Sequence, residues 1–127
     1  MEALVRVRWL KRVMLTKVLC IFALWASPLI APASLLRMFA IEMPPDPLFL
    51  RLFGALQTSL GVAYWFAYRD PVKNVAIVKV CIFENALVAA TIVVVGMTSG
   101  VSSWFVWFSA GLAALFCVVI SILHFNR

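Results

Sequence analysis

The chain has 127 residues, of which 65% are hydrophobic and 13% are charged, and its mean hydropathy is +1.07. Soluble domains carry about 45–50% apolar and about 25% charged residues, so a water-soluble fold of this composition would expose apolar surface and aggregate. The net charge of +6 comes from cations at the ends of apolar runs. We therefore expect the lipid bilayer as the surroundings of the chain and no nucleic-acid partner.

The chain begins with a basic stretch, residues 1–17, that we expect on the cytoplasmic side, with residues 5–17 lying along the inner face of the membrane. Its apolar side chains, such as Trp9, stand among cations that anionic headgroups attract. The first apolar span follows at residues 18–36. Pro28 and Pro32 should kink this span and leave carbonyl groups that neighbouring helices must satisfy.

A secretory signal peptide is the alternative interpretation of this region. The tripeptide Ala31-Pro32-Ala33 before Ser34 resembles a cleavage site that follows a basic start and an apolar run. Cleavage there would leave three spans. The proline within the tripeptide and the continuation of the apolar run to Leu36 favour a retained first helix.

Three further apolar stretches are each long enough to cross a hydrocarbon core of about 30 Å at about 1.5 Å per residue. They cover about residues 48–68, 75–97 and 104–123. The connections between spans are short and rich in proline or small polar residues, which makes neighbouring helices antiparallel. The sequence therefore predicts an all-α fold, a four-helix membrane bundle that forms a single domain over residues 1–127.

The distribution of Lys and Arg predicts the orientation of this bundle. Nine lie on one side, namely Arg6, Arg8, Lys11, Arg12, Lys17, Arg69, Lys73, Lys79 and Arg127, and two lie on the other, Arg37 and Arg51. Positive charge favours the cytoplasmic side, so we expect both termini in the cytoplasm. Aromatic residues mark the same interfaces, with Tyr64, Trp65 and Tyr68 on the inner side and Trp104 and Trp107 on the outer side.

Polar side chains inside the spans are the candidates for a functional site, because they are costly in lipid. The candidates are Arg51, Gln57, Thr58, Glu84 and Asn85. Arg51 shares a helix face with Gly54 and Gly61, whose small size lets another helix approach closely. Snorkelling to the outer headgroups, or pairing with Glu42 or Asp46, is the alternative for Arg51. Lys79 is expected to snorkel to the inner interface.

Glu84 is the most unusual of these residues. It lies about 13 Å deep if its helix begins near Val75 and about 6 Å deep if the helix begins near Val80. Three interpretations remain open: hydrogen bonding between helices, a ligand or ion site, and snorkelling to the cytoplasmic interface. We expect Ser59 opposite Glu84, with Gln57 nearby.

No pattern in the sequence indicates catalysis, a cofactor or a metal. The three cysteines, Cys20, Cys81 and Cys117, fall inside apolar runs without a paired spacing, and His124 is the only histidine. Buried cysteines of this kind behave as small hydrophobic residues. We therefore expect a protein that is not an enzyme.

One part of the chain resembles a known family. The segments Leu50–Leu56 (LRLFGAL), Leu60–Tyr64 (LGVAY) and Ala67–Pro71 (AYRDP) are similar to the second helix and the following turn of DoxX-like and BphX-like proteins. These are small four-helix membrane proteins of bacteria, and the likeness covers residues 49–97. It implies the same architecture, a place in the bacterial inner membrane, and a role as an accessory component beside redox enzymes.

Three functions follow from these features. The leading hypothesis is a non-enzymatic accessory subunit that holds a quinone or a lipid headgroup and whose partner is another membrane protein or a second copy of the chain. The alternative is a small transporter coupled to protons or cations through Glu84. Small multidrug exporters carry such a carboxylate in their first helix, and the first span here has none. An enzyme of lipid or quinone chemistry is the third.

Overall fold

The computed structural model describes residues 1–126, and every regular element in that range is helical. The α-helices are α1 (Glu2–Cys20), α2 (Ala33–Met38), α3 (Leu48–Arg69), α4 (Val75–Ser99) and α5 (Trp104–Phe125). A π-helical turn (Ile21–Trp25) and a 3-10 turn (Ser27–Leu29) continue α1 toward α2. The all-α class predicted from the sequence is confirmed.

Among the described residues, three segments are long and apolar enough to cross a membrane. They are Glu2–Leu29, Val75–Ser99 and Trp104–Phe125. This length and composition suggest a membrane protein. Helix α3 is not among them, although its 22 residues would cover about 33 Å, because Arg51, Gln57 and Thr58 interrupt its apolar sequence. The four-span bundle is therefore supported only in part.

The N-terminal helix differs from its expected bounds at both ends. The basic stretch is not a separate segment, since the helical path starts at Glu2 and runs to Leu29 instead of covering residues 18–36. At about 1.5 Å per residue this path is about 42 Å long, so its basic first turns extend beyond a hydrocarbon core of about 30 Å. Helices α3, α4 and α5 begin at the residues where the sequence places them.

Pro28 explains why this helix changes its geometry. Proline lacks an N–H group and its ring collides with the carbonyl four residues earlier. The Leu24 carbonyl accepts a hydrogen bond of 2.6 Å from the Ser27 hydroxyl instead. Arg51 of α3 donates through Nη1 to the carbonyls of Pro28 (3.0 Å) and Ala31 (2.7 Å). The predicted need for a neighbouring helix to satisfy carbonyls near the prolines is thus confirmed.

Glycines on α3 allow the N-terminal segment to approach closely. A Cβ atom at Gly54 would lie 2.7 Å from the Leu29 Cα atom, and one at Gly61 would lie 2.9 Å from the Phe22 ring. Helix α1 packs against α3 and α5, and α4 packs mainly against α5. The bundle core lies between them and includes Met14, a residue with no exposed surface.

The outside of the bundle is apolar. Large exposed side chains include Phe49, Leu56 and Phe66 on α3, Phe83, Leu87 and Val94 on α4, and Leu115, Val118 and Ile122 on α5. Contiguous apolar surface of this kind is rare on soluble monomers and marks contact with lipid or with another protein. Helix α3 shares this property, although its sequence is more polar.

Candidate functional site

A buried lysine occupies the centre of the bundle. Lys17 of α1 is 1% exposed, and its Nζ atom donates to Asn85 Oδ1 of α4 at 2.8 Å. The same Nζ atom lies 3.3 Å from Glu84 Oε2. Buried lysines are rare unless they are paired, and this one is paired with two side chains of one helix.

Three aromatic rings surround the Lys17 ammonium group. The Nζ atom lies 4.6 Å from the ring centroid of Trp25, 5.4 Å from that of Phe116 and 6.0 Å from that of Tyr64. The face of an aromatic ring carries partial negative charge, so it attracts a cation that has lost its water. The rings therefore help to replace the hydration that Lys17 gives up.

Hydrogen bonds from α4 and α3 hold the two partners of the lysine. Asn85 Nδ2 donates to the Cys81 carbonyl at 2.7 Å, which orients the Asn85 Oδ1 atom toward Lys17. The Tyr64 hydroxyl of α3 donates to Glu84 Oε2 at 3.3 Å. Because α4 begins at Val75, Glu84 lies nine residues past the start of its helix, which is the start that the deeper of its two expected placements assumes. The expected neighbour Ser59 is instead exposed and bonds to its own helix.

The π-helical turn brings Trp25 to this site. In a regular α-helix, side chains eight residues apart point about 80° apart. The Ala26 N–H group bonds to the Ile21 carbonyl five residues back, at 2.7 Å, which widens the turn by one residue. Trp25 thereby stands over Lys17, and its indole N–H donates to Ser109 Oγ of α5 at 2.8 Å. Such π-helical turns occur frequently at functional sites.

A cavity of about 360 Å³ lies beside the Lys17–Glu84 pair. Its residues come from α1, α3, α4, α5 and the segments between α1 and α3, and α2 contributes none. They are Lys17, Trp25, Pro28, Ile41, Leu50, Phe53, Gln57, Glu84, Val88, Thr91, Ile92, Phe105, Val106, Ser109 and Ala113. Most of these side chains are apolar, and few are polar. This combination is typical of sites that bind small lipophilic molecules, although the volume is near the lower end of their range.

Gln57 lines this cavity and carries an unsatisfied polar atom. The residue is 6% exposed, and its Oε1 atom is buried without a hydrogen-bond partner among the residues that the structure describes. Buried polar groups almost always have a partner, so an exception needs a cause. A ligand that donates a hydrogen bond would supply one.

The structure brings together three of the five candidate site residues. Gln57 and Glu84 line the cavity, and Asn85 holds the lysine behind it. Arg51 lies elsewhere, bonded to the carbonyls near Pro28, and neither Glu42 nor Asp46 pairs with it.

Thr58 also lies outside this site, because its hydroxyl donates to the Gly54 carbonyl within α3 at 2.8 Å. Lys79 is exposed, as a residue that reaches the interface would be.

Sequence reasoning missed the residue at the centre. The sequence places Lys17 among the loop cations and Tyr64 at the inner interface, whereas both side chains are buried inside the protein. A signal for Lys17 exists in the spacing of Leu10, Met14, Lys17 and Ile21, which repeats every three or four residues and places the lysine on the apolar face of a helix. Because the helix is expected to start at residue 18, Lys17 falls outside it and its place on the apolar face is not apparent.

The charges of the site balance one another. The Lys17 ammonium group and the Glu84 carboxylate cancel, and within residues 1–126 no group of three or more His, Cys, Asp or Glu residues is placed to hold a metal ion. The chemistry available to a bound molecule is hydrogen bonding at one end and apolar contact along the walls.

Comparisons with known proteins add no relative, since no family model, no curated protein and no solved structure matches this chain. Its function is therefore inferred from the cavity and the polar groups around it.

Proposed function

We propose that this chain is a four-span protein of the bacterial inner membrane, a non-enzymatic accessory subunit that binds an amphipathic lipophile, a lipid or a quinone. The observation that carries the proposal is the cavity of about 360 Å³, whose walls are mostly apolar but include Lys17, Glu84 and Gln57, a residue with an unpartnered oxygen. Apolar walls accept a tail, and convergent polar groups fix a head.

The surface of α3 supports its role as a fourth span. Its exposed side chains include Phe49, Leu56 and Phe66. In contrast, Gln57 is buried and lines the cavity, and Arg51 is bonded to backbone carbonyls. A polar helix becomes compatible with lipid when its polar groups are satisfied inside the protein. The moderate hydropathy of α3 thus has a structural reason.

The charge bias supports cytoplasmic termini. Lys17 is buried inside the bundle and is therefore not counted among the loop cations. Arg127 lies outside the described residues. The remaining cations still favour the side of the N-terminus and of the turn at residues 70–74. The resemblance of residues 49–97 to DoxX-like and BphX-like proteins motivates the choice of a bacterial inner membrane.

Transport coupled to protons or cations at Glu84 is the second candidate function. Its support is that the Glu84 carboxylate lines the cavity. A coupling ion would have to displace the Lys17 ammonium group, which already lies 3.3 Å from the carboxylate. We rank transport second because the site supplies its own cation.

Native mass spectrometry tests lipophile binding. The protein is extracted from its own membrane with a solubilising polymer that keeps the surrounding lipids. We expect the intact chain with a co-purifying lipophile, in complex with a further subunit. Val88→Trp places a large ring in the cavity and should remove the lipophile. Val94→Trp is the matched control, because Val94 lies on the exposed face of the same helix, and it should keep the lipophile.

Two results would contradict the proposal. One is a monomer or a homodimer that carries neither a lipophile nor a further subunit when it is extracted from wild-type membranes. This result would favour the transport hypothesis. The other is a mature mass that begins at Ser34, since cleavage there would remove Lys17 and Trp25 and with them one wall of the cavity.

A further inference from the structure

The charge of the cavity restricts what its occupant can carry. Glu84 Oε2 lies 3.3 Å from Lys17 Nζ and accepts from the Tyr64 hydroxyl. An anionic headgroup would stand against this carboxylate and compete with it for the ammonium group, and a cationic one would meet Lys17. In a site with mostly apolar walls such like-charge contacts are poorly screened. A neutral headgroup meets neither repulsion.

The unpartnered oxygen of Gln57 defines the second requirement. An amide oxygen only accepts hydrogen bonds, and Gln57 Oε1 is buried with no donor from the described residues. An ester, an ether or a quinone carbonyl offers no donor and would leave this oxygen unsatisfied. A hydroxyl group satisfies it and remains uncharged.

The cavity also provides a route for the tail. Phe53 of α3 and Thr91 of α4 line it and are exposed, whereas Leu50, Val88 and Ile92 are partly buried. Helices α3 and α4 are joined by a short turn, and α4 packs mainly on α5. The cavity therefore opens sideways between α3 and α4, where a chain can continue into the lipid phase.

Given that the cavity binds a lipophile, as proposed above, we infer that it selects a neutral lipophile whose head carries a free hydroxyl group, with diacylglycerol as a representative. The hydroxyl donates to Gln57 Oε1, and the acyl chains leave between α3 and α4. Anionic phospholipids are discriminated against by the Glu84 carboxylate.

Photolabelling in phosphatidylcholine nanodiscs tests this inference with three probes that carry the same diazirine-bearing acyl chains. The probes are diacylglycerol, its methyl ether, which lacks the donor, and phosphatidic acid, which is anionic. Cross-links are mapped by mass spectrometry to the cavity-lining part of α4. We expect the ether and the acid each to label about fivefold less than the alcohol, equivalent to about 1 kcal/mol at about 1.4 kcal/mol per tenfold.

A variant pair links the selectivity to Gln57. Gln57→Leu removes the acceptor, so the alcohol and the ether should label it equally. Thr58→Val is the control, because Thr58 bonds within its own helix, and it should keep the fivefold difference. Thermal unfolding of each variant checks that it is folded.

The outcomes separate the two proposals. Equal labelling of the wild-type protein by alcohol and ether, or stronger labelling by phosphatidic acid, would overturn the headgroup inference while leaving lipophile binding in place. Absence of cavity labelling by all three probes, in a folded protein that also carries no lipophile when it is extracted from its own membrane, would overturn the proposed function itself. The comparison of the alcohol with the ether is made on the wild-type protein. Its result therefore stands even if the Gln57→Leu variant misfolds.

Discussion

Lys17 and Glu84 show how two costly residues become tolerable together. A charge that leaves water loses its hydration, and its partner compensates for that loss only while both are present. Here the lysine also has Asn85 and three aromatic rings, and the carboxylate has Tyr64. The site is therefore stable as a set and unstable when one charge is removed.

Glu84→Gln should destabilise the protein by about 3 kcal/mol, because it leaves the Lys17 ammonium group buried without its counter-charge. Lys17→Met combined with Glu84→Gln should recover most of this loss. The free energy of unfolding in detergent micelles measures both.

The exposed pair Asp70–Lys73 is the control for this comparison, and Asp70→Asn should change stability by less than about 0.5 kcal/mol. A double variant less stable than Glu84→Gln would contradict the ion-pair account.

Only part of the site could be predicted from the sequence. Glu84, Asn85 and Gln57 are visible because polar residues stand out inside an apolar run. Lys17 is not, because a lysine at the edge of a basic stretch is usually solvated, and only the tertiary contact with α4 shows otherwise. Arg51 and Thr58 were visible for the same reason as Glu84, yet their partners are backbone carbonyls.

At the scale of the elements, helix α2 ends in a conformation that its sequence does not favour. Ala40 has a φ of 54°, in the left-handed region where glycine is usual. The Ile41 N–H group bonds to the Leu36 carbonyl and the Ala40 N–H group to the Arg37 carbonyl, both at 3.0 Å. This pattern is the Schellman motif, which closes the helix before the proline-rich loop.

Ala40→Gly should therefore stabilise the protein by up to about 1 kcal/mol, because glycine removes the steric cost of the left-handed conformation. Ala55→Gly in the interior of α3 is the matched control, and it should destabilise by about 1 kcal/mol. Thermal unfolding of the two variants under identical conditions measures the difference. If both changes were destabilising, the left-handed end of α2 would not exist in solution.

The helices differ in how far their sequences determine them. Long apolar runs bounded by proline, glycine and polar residues place the starts of α3, α4 and α5. The kink near Pro28 also follows from proline chemistry. The π-helical turn does not follow from the local sequence. It places Trp25 in contact with Lys17 of α1 and with Ser109 of α5. Contacts of that kind are absent from local sequence.

For the whole molecule, the number of crossings is decided by α3. If α3 spans, the loop at residues 39–47 and the loop at residues 100–103 lie outside, and the turn at residues 70–74 lies inside. If it does not span, the turn at residues 70–74 joins the outer side and the loop at residues 100–103 moves inside. The two topologies therefore differ in the sides of these two loops and of the C-terminal end of α5.

Labelling of single introduced cysteines measures directly on which side of the membrane each loop lies. In intact cells, a membrane-impermeant maleimide should label Glu42→Cys and Ser102→Cys but not Lys73→Cys, which should react only after permeabilisation. The wild-type chain is the control, because its cysteines lie within helices and are buried or partly buried. Labelling of Lys73→Cys in intact cells, with Ser102→Cys protected, would establish three crossings instead of four.

The ion pair also imposes an order on biosynthesis. Lys17 leaves the ribosome 68 residues before Asn85, so the first helix meets the membrane while its partners are not yet made. An unpaired lysine near the middle of an inserting helix costs about 2.5–3.5 kcal/mol, which delays full partitioning until α4 has emerged. We therefore expect the first helix to reach its final depth only after α4 has been synthesised.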